Sequence, residues 1–115
     1  MLRALIFVWR GSKGQAMAVV GKDAKQPHEI LDWDVDYSDW MPDGDGIEDV
    51  DVQVRLLTGS GAPALSVEGV DVSRYVVKVW LAGGAHGGKW RVQVRAITTG
   101  GRRKEAEFDI SVKEV

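Results

Sequence analysis

Apolar and polar residues alternate with period two along most of the chain, and no stretch keeps a 3.6-residue apolar period for three turns. That alternation marks half-buried β-strands. From Leu31 to Tyr37, Leu31, Trp33, Val35 and Tyr37 share one face and Asp32, Asp34 and Asp36 the other. From Asp49 to Leu56, Val50, Val52, Val54 and Leu56 alternate with Asp49, Asp51, Gln53 and Arg55. The same holds for Lys89 to Ala96 and for Ala106 to Val112. Leu65 to Val70 predicts a short strand. Tyr75 to Leu81 is apolar on nearly both faces, as in a central or interface strand. A slip of one residue would turn each apolar set to solvent, so the register is strongly specified.

Glycine-rich turns punctuate these runs: Pro42 to Gly46, Thr58 to Gly61, Gly83 to Gly88, and Gly100-Gly101. Six strands, with one more from the N-terminal region, give about seven at the spacing of an antiparallel sandwich. The absence of crossover helices from the pattern excludes a parallel α/β sheet. The length of 115 residues suits one domain. Residues 22–115 form that domain in this reading, and residues 1–21 form an extension. The extension is either an extra strand or docking arm around Leu2 to Trp9, or an over-called start ahead of Met17.

Composition narrows the function by exclusion. Apolar residues make up 44% and charged residues 28%, as in globular chains. With no cysteine, a disulfide scaffold, a thiol nucleophile and a cysteine zinc site are ruled out. The net charge of −2 gives no sign of nucleic-acid binding. Leu2 to Trp9 is too short to span a bilayer, so no membrane association and synthesis in the cytoplasm are expected.

Charge is nevertheless segregated. Ten acids and no base lie between Glu29 and Asp51, and eight bases and no acid between Arg74 and Lys104. Two readings follow. Acidic and basic outer faces pair across strands within one chain, or they pack head to tail between subunits into a ring. The first is preferred, because strand neighbours are the commonest partners.

Candidate chemistry is sparse. Asp32, Asp34 and Asp36 resemble the start of a calcium loop, but an EF-hand needs glycine and glutamate where Tyr37 and Asp43 stand. Asp43, Asp45 and Glu48 read as a solvated acidic turn. The Gly83 to Gly88 run has no following helix to cradle a phosphate, and His86 and His28 are read as loop residues. No set of residues converges on catalysis, so no enzymatic activity and no cofactor or metal are expected. Of the five tryptophans, Trp33 and Trp90 belong to core faces. Trp40, at the start of a loop, and Trp80, on the second face of its strand, are interface candidates.

Three stretches carry a resemblance: LDWDVDYSDW (Leu31 to Trp40), VWLAGG (Val79 to Gly84) and ITTGGRR (Ile97 to Arg103). In this order and spacing they resemble a family of phage fibre-tail adaptor proteins encoded in tailed-phage and prophage structural modules. The resemblance covers Lys22 to the C-terminus. It departs from the family pattern before Lys22 and at Ile47 to Leu65, which is longer and more charged than usual.

The resemblance implies an immunoglobulin-like, fibronectin type III-like sandwich built into the virion as a non-enzymatic part. Ser38 and Trp40 would close the first landmark strand. Trp80, Gly83 and Gly84 would form the second, and Thr98, Thr99, Gly100 and Arg102 the last turn. The implied partners are other virion proteins of the tail, fibre or head-tail connector, together with further copies of the chain. Trp40, Trp80, the acidic loop with Asp43 and Asp45, and the basic turn Arg102-Arg103-Lys104 are the contact candidates. The competing reading is a glycan-binding sandwich with Trp40 and Asp43 or Asp45 at a loop site.

Overall fold

The computed structural model describes Leu5–Phe7 and residues 19–114. Eight strands occur in chain order: β1 (Leu5–Phe7), β2 (Val19–Lys25), β3 (Leu31–Asp36), β4 (Ile47–Thr58), β5 (Leu65–Val72), β6 (Val76–Gly83), β7 (Lys89–Thr98) and β8 (Arg103–Val112). They form two four-stranded sheets, β1-β3-β6-β5 and β2-β8-β7-β4. No helix occurs among the described residues. The all-β sandwich expected from the alternation is therefore the fold.

The inner faces are those the alternation picked out. Trp33, Val35, Val77, Val79 and Leu81 from one sheet meet Val92, Val94, Ala96, Ala106, Phe108, Ile110 and Val112 from the other, all fully or almost fully buried. Trp33 stacks on Phe108 across the layers, with ring centroids 6.3 Å apart. Strand β6 lies between β3 and β5, which explains its apolar sequence.

All six predicted strands appear, five of them longer than expected and β3 one residue shorter. Strands β4 and β7 continue beyond the strict alternation, to Thr58 and Thr98. Strand β8 opens at Arg103, so Arg103 and Lys104 begin a strand instead of completing a turn. Tyr37 falls just past β3, yet it is fully buried and its hydroxyl donates to the Val94 carbonyl at 3.0 Å. Burial pushes its phenol well above the usual tyrosine range, and the Glu105 charge adds to the shift, so the ring stays neutral. Tyr37→Phe is expected to cost about 1 kcal/mol in urea denaturation, the net worth of one buried hydrogen bond. A cost of zero would mean that the hydroxyl holds nothing.

The N-terminal region contributes two strands where the alternation pointed to one. The four pairings among β3 to β8 are antiparallel, as expected. Strands β1 and β2 instead join β3 and β8 in parallel. Strand β2 crosses residue 22, where the sequence reading placed the start of the domain. Trp9 and Met17, on which the docking-arm and over-called-start readings bear, lie outside the described residues.

Candidate functional site

Three connections meet at one end of the sandwich: the β3–β4 loop, the β5–β6 turn and the β7–β8 turn. Backbone hydrogen bonds sew them together. Tyr37 N–H donates to the Tyr75 carbonyl at 2.8 Å, Ile47 N–H to the Arg74 carbonyl at 2.8 Å, and Thr99 N–H to the Gly46 carbonyl at 3.0 Å.

Asp45 is the hub. Its residue is only 4% exposed. One carboxylate oxygen accepts from Gly46 N–H at 2.9 Å, Gly100 N–H at 2.8 Å and the Thr99 hydroxyl at 2.8 Å. The other accepts from Arg102 at 3.2 Å. Burial alone would raise its pKa. Hydrogen bonds from Thr98, Thr99, Gly100 and Gly46 overcome that and hold it far below the usual carboxylate range. Asp45 is thus committed inside the chain, and it fixes where Arg102 stands.

The other candidates fall around this hub or away from it. Asp43 is exposed in the same loop. Trp40 is half-buried, packs against the core and meets Tyr37 edge to face at 6.4 Å. Arg103 and Lys104, with Asp51, Arg95, Ile97 and Glu105, line an open concavity of about 430 Å³ beside the turn. Trp80 stands apart, half-buried on the outer face of the other sheet, where it opposes Asp32 and Gly69. Its indole N–H donates to Asp71 at 3.3 Å. The structure therefore brings together Trp40, Asp43, Asp45, Arg102, Arg103 and Lys104 at one end, and leaves Trp80 on a separate face.

Part of the segregated charge is spent within the chain. Lys78 bridges Asp32 at 2.9 Å and Asp34 at 2.8 Å, and Arg102 reaches Asp45, so both contacts join the acidic stretch to the basic one. Hydrogen bonds from Lys78 to Asp34 and Asp32 hold its ammonium above the usual lysine value. On the outer face of β7 and β8, Arg91 grips Asp109 through two nitrogens, Gln93 reaches Glu107, and Arg95 pairs with Glu105. Each exposed pair adds little stability, but together they set the face that β7 and β8 present.

Lys25 escaped the sequence reading. It is 2% exposed, and its ammonium donates to the carbonyls of Gln26 at 2.7 Å, Pro27 at 3.4 Å and Gly83 at 2.6 Å. Burial lowers its pKa, against the pull of Glu29. It clamps the end of β2 onto the glycine hairpin. The glycines there are required by the backbone: Gly83 and Gly84 have φ of +74° and +90°. A Cβ on Gly84 would also lie 2.7 Å from a Val112 methyl. Nothing in a surface-like sequence such as KDAK signals a buried cation.

The fold is a two-sheet all-β sandwich in which many polar groups brace its own ends and faces. The chain matches the family model described as Podophage GP4 fiber-tail adaptor protein gp77 over residues 25–111, and it belongs to that family. The matched stretch opens at the clamping residue Lys25 and closes within β8. No curated protein matches the chain significantly.

Proposed function

We propose that this chain is a non-enzymatic virion structural protein that joins the tail to its fibres, or the head to the tail, through oligomeric packing of its sandwich. The observation that carries the proposal is the family match over residues 25–111, which contains β3 to β7 whole and most of β8. The immunoglobulin-like form of the sandwich is part of the same reading. It is supported by strand order, since β3-β6-β5 facing β4-β7-β8 follows the B-E-D and C-F-G order of immunoglobulin domains. Strand β1 takes the place of strand A beside β3 but runs parallel to it, and β2 adds a strand beside β8 that the C-F-G sheet lacks.

In this reading the chain is made in the bacterial cytoplasm and ends in the particle. The end built around Asp45 presents Trp40, Asp43, Arg102, Arg103 and Lys104 to one neighbour, while the outer face with Trp80 meets another. Repetition about a symmetry axis converts modest contacts into firm assembly.

Mass spectrometry of gradient-purified particles tests the role. Peptides at stoichiometric level are expected, and their absence from intact particles would overturn it. Trp80→Ala is expected to lower incorporation severalfold while melting within a few degrees of the parent, as surface changes do. Normal incorporation with normal infectivity would remove Trp80 from the interface.

A further inference from the structure

Strand β4 ends its sheet, beyond β7, and runs for 12 residues. Its pairing with β7 is regular from Asp49 to Leu56, with irregularities on either side. A long edge strand offers a row of backbone donors and acceptors to another strand.

Its outer face carries three charges that β7 does not satisfy: Asp49, which lies opposite Ile97, and Asp51 and Arg55. Asp51 lies opposite Arg95, but Arg95 is engaged by Glu105. Arg55 lies opposite Arg91, a like charge that is itself held by Asp109 and Glu107. Like charges directly opposed in a sheet are unfavourable. Among the described residues no carboxylate comes within ion-pair distance of Arg55, and Asp51 accepts only from Gln53, at 3.3 Å.

We propose that β4 pairs antiparallel with β4 of a second copy of this chain, about a two-fold axis at Gln53. This contact would supply the copy-to-copy packing proposed above, and it rests on that part of the reading. In this register Asp51 faces Arg55 of the second copy, and Arg55 faces its Asp51. Val52 faces Val54, and Val50 covers Leu56, which is 38% exposed in the single chain. An axis at Asp51 would oppose two aspartates. An axis at Val52 would set Asp51 against Gln53 and Leu56 against Glu48. Strand β5, the edge strand of the other sheet on this side, does not match itself in this way. It is bulged between Val67 and Gly69 and bears Glu68 and Asp71 without a basic residue. A single edge contact is smaller than a standard interface of roughly 1,200–2,000 Å², so the dimer is weak in solution and gains from repetition in the particle.

The chain has no cysteine, so one introduced thiol reports cleanly. Residues directly opposite in such a pair have Cβ atoms about 4.5–5.5 Å apart, close to disulfide reach. Oxidised at high concentration, purified Gln53→Cys is expected to form at least fivefold more covalent dimer than Glu68→Cys on the β5 edge. Added to Gln53→Cys, Asp51→Arg or Arg55→Asp alone is expected to cut the yield at least threefold, and the two together to restore it. Arg55→Asp places a carboxylate opposite Arg91, so a loss there is not a loss of folding. Equal yields from Gln53→Cys and Glu68→Cys, failure of the double swap to restore, or faster cross-linking of Asp51→Cys would each overturn the pairing. Particle content is read separately: a chain found in virions whose Gln53→Cys does not cross-link loses this contact and keeps its virion role.

Discussion

Phe108→Ala is expected to destabilise the sandwich by about 4 kcal/mol, near the middle of the range for emptying a buried aromatic site. Phe108 has no exposed surface and stacks on Trp33 with the ring planes 30° apart. Two terms add. The missing ring leaves a cavity that two rigid sheets close only in part, and the aromatic pair contributes a further ~0.5–1.5 kcal/mol. A domain of this size has a total stability of about 5–15 kcal/mol, so the alanine variant is left near the edge of folding. Phe108→Leu keeps most of the volume and is expected to cost no more than about 1.5 kcal/mol. Urea denaturation of the three proteins checks both numbers. An alanine cost below about 1 kcal/mol would mean that the sheets collapse freely onto each other and that this pair does not set their spacing.

Phe108 also illustrates what the alternation could reveal. In β8 it sits two residues from Ala106 and Ile110, so its face follows from period two alone. The same rule placed Trp33, Val79 and Val94. It failed where burial was not periodic. Glu107 and Asp109, on the outward face of β8, are 8% and 4% exposed, because Arg91 and Gln93 lie across them. Lys25 is buried by a long-range carbonyl cage that a local pattern cannot encode. The two N-terminal strands join in parallel, and parallel partners give no turn signal between neighbours in sequence. The acidic loop and the basic turn were each legible as charge. Their union was not, since Asp45 and Arg102 are joined only when three connections close over one end.

That union yields the second large effect. Asp45→Asn is expected to lower the melting temperature at neutral pH by about 10 °C, given several degrees per lost buried contact in a domain of this size. The amide keeps the shape but turns donor hydrogens toward the donors that now converge on a carboxylate. Arg102→Ala is expected to shift melting by only a few degrees, because its side chain is 53% exposed and the neutral donors remain.

The pH dependence separates charge from shape. The folded pKa of Asp45 lies below the ordinary value of 3.8. The charged form therefore adds stability that is fully present above that ordinary value. It declines as the pH falls below it and vanishes only below the depressed folded value. The gap between parent and asparagine variant should follow this course, and all other carboxylates cancel in the difference. Urea midpoints from pH 7 down to pH 2.5 measure it. A gap that is small at neutral pH, or that does not narrow with acid, would mean that Asp45 does not organise this end. The β7–β8 turn, with Arg102 and Arg103, would then owe its shape to the backbone alone. If the gap narrows as expected, the carboxylate is what holds the candidate contact patch in place, and Asp45→Asn should weaken particle incorporation without touching a partner.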